Sequence, residues 1–262
     1  MKKLYVIKIG GNVIDNSENL HYFLQDFAGL EGEKILIHGG GKIATELSRT
    51  LGIESKMVDG RRITDIETLR IVTMVYAGLI NKNIVAQLQK ENCNAIGLTG
   101  ADANLIRASK RPVKDVDYGY VGDLHATSVA THKLSALIED GLIPVFAPIT
   151  HDGEGQLLNT NADTIASGIA VALSDNYDVS LVYCFEKKGV LRDVDDESSV
   201  ISQINSTDFE NLKSDNIIAG GMLPKLQNAF VAISTGVKEV YIGKADELKD
   251  IKNGSFGTRL FK

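Results

Sequence analysis

The stretch LYVIKIGGNVI, residues 4–14, opens with five apolar or aromatic residues among its first six. Such a run reads as a strand buried on both faces of a sheet. Lys8 interrupts it just before Gly10-Gly11. An ammonium taken out of water is costly without a partner, so the end of this strand requires a counter-ion.

Outward from this strand, further short apolar runs occupy residues 34–38, 94–98, 142–147, 178–184 and 238–242, with helical patterns between them. GKIATELSRTLG places Ile43, Leu47 and Leu51 on one helical face and stops at Gly52. TDIETLRIVTMVYAGL opens with Thr64 and Glu67 at capping-box spacing. MLPKLQNAFVAISTG repeats Leu223, Leu226, Phe230 and Ile233 and ends at Gly236. This alternation predicts an α/β fold, a three-layer α/β/α sandwich around an open, mostly parallel sheet. Residues 104–125, rich in turn and β-forming residues, read as a hairpin excursion. The stretch LSDNYD marks a boundary between lobes 1–175 and 176–262.

With 262 residues and a net charge of −6, the chain can bury a sizeable core and lacks the clustered cations of a nucleic-acid surface. No apolar run reaches the length of a membrane span. The N-terminal MKKLYVIKIGG is too short and too charged for a signal peptide. Cys93 and Cys184 are too few for a disulfide framework or a zinc site. The expectation is a reduced, cytoplasmic enzyme.

In open α/β sheets ligands bind beyond the carboxyl ends of the strands. Gly10-Gly11 follow the first strand, and HGGGK, His38 to Lys42, follows the second and runs into a helix. Consecutive glycines let backbone N–H groups approach an anion, and a helix N-terminus adds partial positive charge. One glycine pair is as well explained by a flexible turn; two clusters on consecutive strand ends favour an anion site. Neither GxxxxGK[ST] nor GxGxxG after the first strand is present. NTNAD places Asn159, Asn161 and Asp163 at alternate positions, on one side of an extended segment. The competing reading makes Asn161 a helix N-cap with Asp163 in the first turn. In AGGMLPK, Lys225 falls in a helix's first turn, where the dipole disfavours a cation; an anion between it and another lysine would explain that. Arg61-Arg62, before the Thr64 helix, have the fork geometry that grips a carboxylate.

Two lysines, three glycine clusters and an Asp with two Asn suit phosphoryl transfer, which needs positioning and charge neutralisation. KIGGN, HGGGK, GRRIT, NTNAD and GGMLPK, in this order over essentially the whole chain, resemble the amino acid kinase family, closest to the branch acting on acylated glutamate. The resemblance implies ATP-dependent phosphorylation of the γ-carboxylate of N-acetyl-L-glutamate in arginine biosynthesis, with Mg²⁺ held by phosphates and water. It assigns Lys8 to the phosphoryl group in flight, Lys225 to the leaving side, and Asp163 to holding both lysines. Gly40, Gly41, Arg62, Asn159 and Asn161 would bind the acceptor. Gly10, Gly11, Glu186, Gly189, Val190, Leu191, Gly220 and Gly221 would surround the nucleotide and its phosphates. The lobe before residue 175 would then carry acceptor binding and dimerisation, and the lobe after it the nucleotide.

Departures from the family pattern sharpen the reading. Related kinases carry Ser-Asp or Thr-Asp where this chain has Phe185-Glu186, followed by Lys187-Lys188, which predicts an altered purine environment. The first strand begins by Leu4, without the preceding helix that resembling hexamers use, so a homodimer without arginine feedback is expected. An N-succinyl acceptor would need a further cation, for which Arg61, Arg107 and Lys110 are available. A sister kinase acting on a carbamate, uridylate, aspartate or aminoadipate-type acceptor, and a non-catalytic binder on the same fold, are the alternatives.

Overall fold

Leu4 and Val6 point to one face of the first strand and Tyr5, Ile7 and Ile9 to the other, and all five are buried. A strand enclosed on both faces must lie inside a sandwich. The computed structural model describes residues 1–58, 61–215, 217–218 and 222–262. In chain order the elements begin β1 (Lys3–Ile9), α1 (Gly11–Ile14), α2 (Ser17–Ala28), β2 (Glu33–His38) and α3 (Gly41–Thr50). They continue with β3 (Met57–Val58), β4 (Arg61–Arg62), α4 (Ile66–Val72), a π-helical stretch (Thr73–Ile80) and α5 (Asn81–Lys90). Next come β5 (Ala95–Leu98), β6 (Ser109–Lys110), β7 (Val121–Asp123), α6 (Thr131–Glu139), β8 (Ile143–Phe146), β9 (Ile149–His151) and β10 (Leu157–Thr160). The chain closes with α7 (Ala162–Leu173), β11 (Asp178–Phe185), β12 (Gln203–Ile204), α8 (Ser206–Ser214), α9 (Met222–Ser234), β13 (Glu239–Lys244) and β14 (Thr258–Leu260).

The main sheet has eight strands in the order β12-β14-β13-β11-β1-β2-β8-β5. The six from β13 to β5 are all parallel, and β14 runs antiparallel to β13. Each corresponds to one of the six predicted runs. One core layer packs α6, α7, α8 and α9 on the face carrying Leu4 and Val6; the other packs α2, α4 and α5 on the face carrying Ile7 and Ile9. The three layers match the expected sandwich. β11 pairs with β1 from Asp178 to Cys184, so the sheet runs unbroken past residue 175.

The excursion expected over residues 104–125 supplies β6 and β7, paired antiparallel, to a smaller sheet ordered β6-β7-β10-β9. Two local expectations are corrected. The buried residues of α3 are Ala44 and Ser48, whereas Ile43 and Leu47 are half-buried and Leu51 is exposed; α3 packs closely on α4, where small residues fit. The N-cap of α4 is Asp65, whose side chain accepts from the Thr68 N–H at 2.8 Å, and not Thr64. Glu67 pairs with Arg70 instead of closing a capping box. The continuous helical stretch Ile66–Lys90 is long and apolar enough by length and composition to cross a membrane. In this fold Leu69, Val72, Tyr76, Ile80, Ile84 and Leu88 are buried against the rest of the core.

Candidate active site

After β1 the chain turns into α1 and α2 on one face of the sheet, whereas β11 leads to α8 and α9 on the other. Adjacent parallel strands whose connections diverge in this way leave a crevice at their carboxyl ends. A cavity of about 320 Å³ occupies that position, lined by Gly10, Gly11, Asn12, Phe185, Lys187 and Lys225 among others.

Lys8 continues the Leu4–Val6 alternation, so its side chain projects toward α7 and α9. Only 10% of that side chain is exposed, and its Nζ lies 2.8 Å from Asp163 Oδ1. Asp163 stands in the first turn of α7, where the helix dipole favours a carboxylate. Its Oδ1 has no aligned hydrogen-bond donor among the described residues, so the contact with Lys8 is an ion pair that leaves lone pairs open. Lys225 enters from the first turn of α9, with its Nζ 3.9 Å from the centre of the Phe185 ring. Burial lowers its pKa; the Asp163 carboxylate opposes that shift and the Lys8 ammonium adds to it. The fold therefore brings Lys8, Asp163 and Lys225 together from β1, α7 and α9.

The two glycine loops lie side by side, with the Gly39 N–H donating to Ile9 O at 3.1 Å. Gly40 has φ 147°, and a Cβ there would stand 2.2 Å from Ile80 Cδ1. Its identity is dictated by the fold. Gly10, Gly11 and Gly41 differ: a Cβ would meet nothing closer than 3.9, 3.6 and 4.0 Å. The protein has room for a methyl at each, so a close approach by something other than the protein accounts for glycine better. At Gly10 the nearest atom to such a Cβ is Lys8 Nζ, so the space that glycine leaves open is the space in front of the ammonium. His38, which precedes these glycines, is fully buried; its Nδ1 contacts Gly39 O at 2.8 Å and its Nε2 contacts Asn81 Nδ2 at 3.2 Å.

Beside the Gly39–Gly41 loop, the half-buried Arg62 donates to Gly41 O at 3.0 Å, Thr45 Oγ1 at 2.8 Å and Ser55 Oγ at 2.8 Å. Asn159 Nδ2 donates to Thr64 Oγ1 at 3.0 Å, and Thr64 is fully buried. Arg62 is thus tied to the start of α3 and Asn159 to Thr64, whose hydroxyl lies 3.4 Å from the Arg62 carbonyl oxygen. The single-face reading of Asn159, Asn161 and Asp163 is corrected: only Asn159 lies in β10. Asn161 is the N-cap of α7, its Oδ1 accepting from the Thr164 N–H at 3.1 Å, and its side-chain oxygen serves the helix.

Of the residues expected around a nucleotide, Glu186 and Gly189 line the cavity. Val190 and Leu191 are buried away from it, the Val190 N–H being taken by Thr258 Oγ1 at 2.8 Å and Leu191 bridging to Val200. Gly220 and Gly221 lie outside the described residues. Phe185, expected beside the purine, presents its ring face to lysines. Asn12 and Met222 line the cavity without having been singled out; the Asn directly after Gly10-Gly11 was the available signal, and Lys42 Nζ donates to its side chain. Of the spare cations, Arg107 donates to Asp152 O at 2.8 Å and lies 3.6 Å from Glu154. Lys110 sits 5.0 Å from the Tyr120 ring centre, and Arg61 is exposed.

Residues 3–244 match the model of the amino acid kinase family. The chain is 60% identical to the acetylglutamate kinase of Cytophaga hutchinsonii over 99% of each chain. Its fold is similar to the crystal structure of a Streptococcus mutans UA159 protein, with a TM-score of 0.76, 28% identity, and coverage of 99% of this chain and 98% of that one. Carbamate kinase from Giardia lamblia bound to AMP-PNP shares the fold, with a TM-score of 0.70 at 15% identity over 100% and 98% of the two chains. With its buried Lys8 beside Lys225, adjoining glycine loops and near-complete family match, the chain belongs to the amino acid kinase family.

Proposed function

We propose that this chain transfers the γ-phosphoryl group of ATP to the γ-carboxylate of N-acetyl-L-glutamate, giving an acyl phosphate in arginine biosynthesis. The observation that carries the reading is Lys8, paired with Asp163 at 2.8 Å, with its ammonium facing the space that Gly10 leaves open beside the cavity lined by Gly10, Gly11 and Lys225. The relatives carrying the acetylglutamate kinase name, at 57–60% identity over 99–100% of this chain, support that acceptor.

A γ-carboxylate is ionised at neutral pH, so no general base is needed. Its oxygen forms the new bond to the γ-phosphorus as the bond to the β,γ-bridging oxygen breaks, and ADP leaves with that electron pair. Lys8 and the Gly11, Gly40 and Gly41 amides neutralise charge on the group in flight, and Lys225 does so on the leaving side. Arg62 and Asn159 hold the acceptor in line. Asn161, whose oxygen caps α7, leaves its amide nitrogen available to the acceptor in this reading. Mg²⁺, held by phosphates and water, supplies further charge neutralisation when bound; the buried Asp163 Oδ1 without an aligned donor fits a metal-bound water.

In this reading residues 1–175 hold the acceptor and the dimer contact, and residues 176–262 the nucleotide, in the cytoplasm. The uncharged outer face of Thr73–Ile80, where Met74 and Leu79 are 55% and 53% exposed, supports a homodimer. The deciding assay follows ADP release from Mg-ATP with N-acetyl-L-glutamate, N-succinyl-L-glutamate and L-glutamate. Preference for the acetyl compound is expected. Preference for the succinyl compound would move the acceptor assignment, and no turnover from folded protein would bring the sister-kinase or binder reading to the front.

A further inference from the structure

Lys225 is poorly provided for by its surroundings. It is half-buried and stands in a helix's first turn, where the dipole opposes a cation. The nearby carboxylate, Asp163, is in contact with Lys8. The described residues place no carboxylate within ion-pair distance of Lys225. What they place there is the Phe185 ring, with its centre 3.9 Å from Lys225 Nζ. Lys8 Nζ lies 5.6 Å from the centre of the same ring. Both ammoniums are within the range at which the negative face of an aromatic ring attracts a cation.

The ring is held in place by its neighbour on the strand. Phe185 and Tyr183 are two residues apart on β11 and so share a face, their centroids 6.1 Å apart with 20° between the ring planes. Tyr183 is buried and pairs in register with Lys8. Lys8, Tyr183, Phe185, Asp163 and Lys225 therefore form one cluster on one side of the sheet.

We propose that Phe185 is a positioning residue for phosphoryl transfer, its ring holding the Lys225 ammonium, and secondarily that of Lys8, at the mouth of the nucleotide cavity. This rests on the kinase reading above and deepens it. A carboxylate in the same place would take up the N–H groups of Lys225. An aromatic face attracts the charge and leaves the N–H groups free to turn toward a phosphate oxygen.

The test uses the full chain labelled with ¹³C-lysine. The Lys225 ε-methylene signal is assigned by its loss in Lys225→Arg. In the wild type that signal should lie upfield of the other lysines, because the group sits over a ring face. It should keep its shift in Phe185→Tyr and return to the common position in Phe185→Leu. In parallel, Phe185→Leu should lower kcat by about 2- to 30-fold and leave the KM for acetylglutamate within about two-fold, whereas Phe185→Tyr should stay within about two-fold in both. An unshifted wild-type signal, a Phe185→Leu kcat equal to wild type, or equal losses in Phe185→Leu and Phe185→Tyr would each overturn the positioning role. A wild type that releases no ADP with any acylated glutamate would instead bring down the acylglutamate reading on which the positioning role rests. An active wild type with an indifferent Phe185→Leu brings down the positioning role alone.

Discussion

Lys8 Nζ lies 2.8 Å from Asp163 Oδ1, and their side chains are 10% and 35% exposed. The burial is therefore unequal, and the two partners should respond differently to removal. Lys8→Met removes a desolvated ammonium and leaves the Asp163 carboxylate, partly exposed but with Oδ1 buried, without its counter-ion. Thermal denaturation should show a Tm lowered by less than in Asp163→Ala, while turnover falls at least about 100-fold. Asp163→Ala strands the buried ammonium and should lower Tm by several degrees, less than loss of a fully buried pair at about 3–5 kcal/mol would. A Lys8→Met enzyme within ten-fold of wild-type turnover would remove Lys8 from the chemistry.

The glycines should separate folding from function. At Gly11 an added Cβ meets Asp15 Oδ2 at 3.6 Å, an ordinary contact. Gly11→Ala should fold with a Tm close to wild type and lose about 10-fold or more in turnover, because the methyl occupies space meant for the phosphoryl group. At Gly40, with φ 147°, any side chain is strained by about 1–3 kcal/mol, and Ile80 and Tyr76 crowd the position. Gly40→Ala should lose Tm before activity per folded molecule is considered. Equal melting curves for the two variants would contradict this division.

The π-helical stretch Thr73–Ile80 carries no charged residue, and its outward face includes Met74, Gly78 and Leu79. If this face is the dimer contact, Met74→Glu should shift sedimentation from dimer to monomer at micromolar concentration without unfolding the chain. A wild-type monomer under those conditions would reject the homodimer.

Much of this arrangement is visible in the sequence because it rests on strong local signals. The parallel strands are buried on both faces and so appear as uninterrupted apolar runs. Lys8 stands out as a charge inside such a run, where Lys34, Asp178 and Lys238-Glu239 stand at the start of theirs, and the glycine loops stand out as clusters. What was not legible depends on partners distant in sequence. Thr64 looked like a cap because of Glu67, yet it is taken up by Asn159, 95 residues away. Asn161 fitted two roles equally well until α7 claimed its oxygen. The π-helical stretch has no signature in a 3.6-residue period. Phe185 looked like a change at the purine, since nothing local in the sequence places its ring under lysines contributed by β1 and α9.

His38 makes stability dependent on pH. Its ring is fully buried beneath the Gly39–Gly41 loop. The neutral form is the one that fits: an Nδ1–H donates to Gly39 O at 2.8 Å, and Nε2 accepts from Asn81 Nδ2 at 3.2 Å. Protonating Nε2 would set one donor against another. Burial pushes the pKa down to about 4; the Gly39 hydrogen bond resists this, and the Lys82 ammonium adds to it. In the unfolded chain the group titrates near 6.5. Above that value both states are neutral and the stability is complete. As pH falls from about 6.5 toward 4, the unfolded chain binds a proton that the native state does not, and stability drops by up to about 1.4 kcal/mol per pH unit. Urea midpoints measured between pH 7 and 5, above the main carboxylate range, should decline in the wild type. They should decline much less in His38→Gln, even though that variant starts lower because its packing is altered. Parallel declines in the two proteins would show that His38 is not the group responsible.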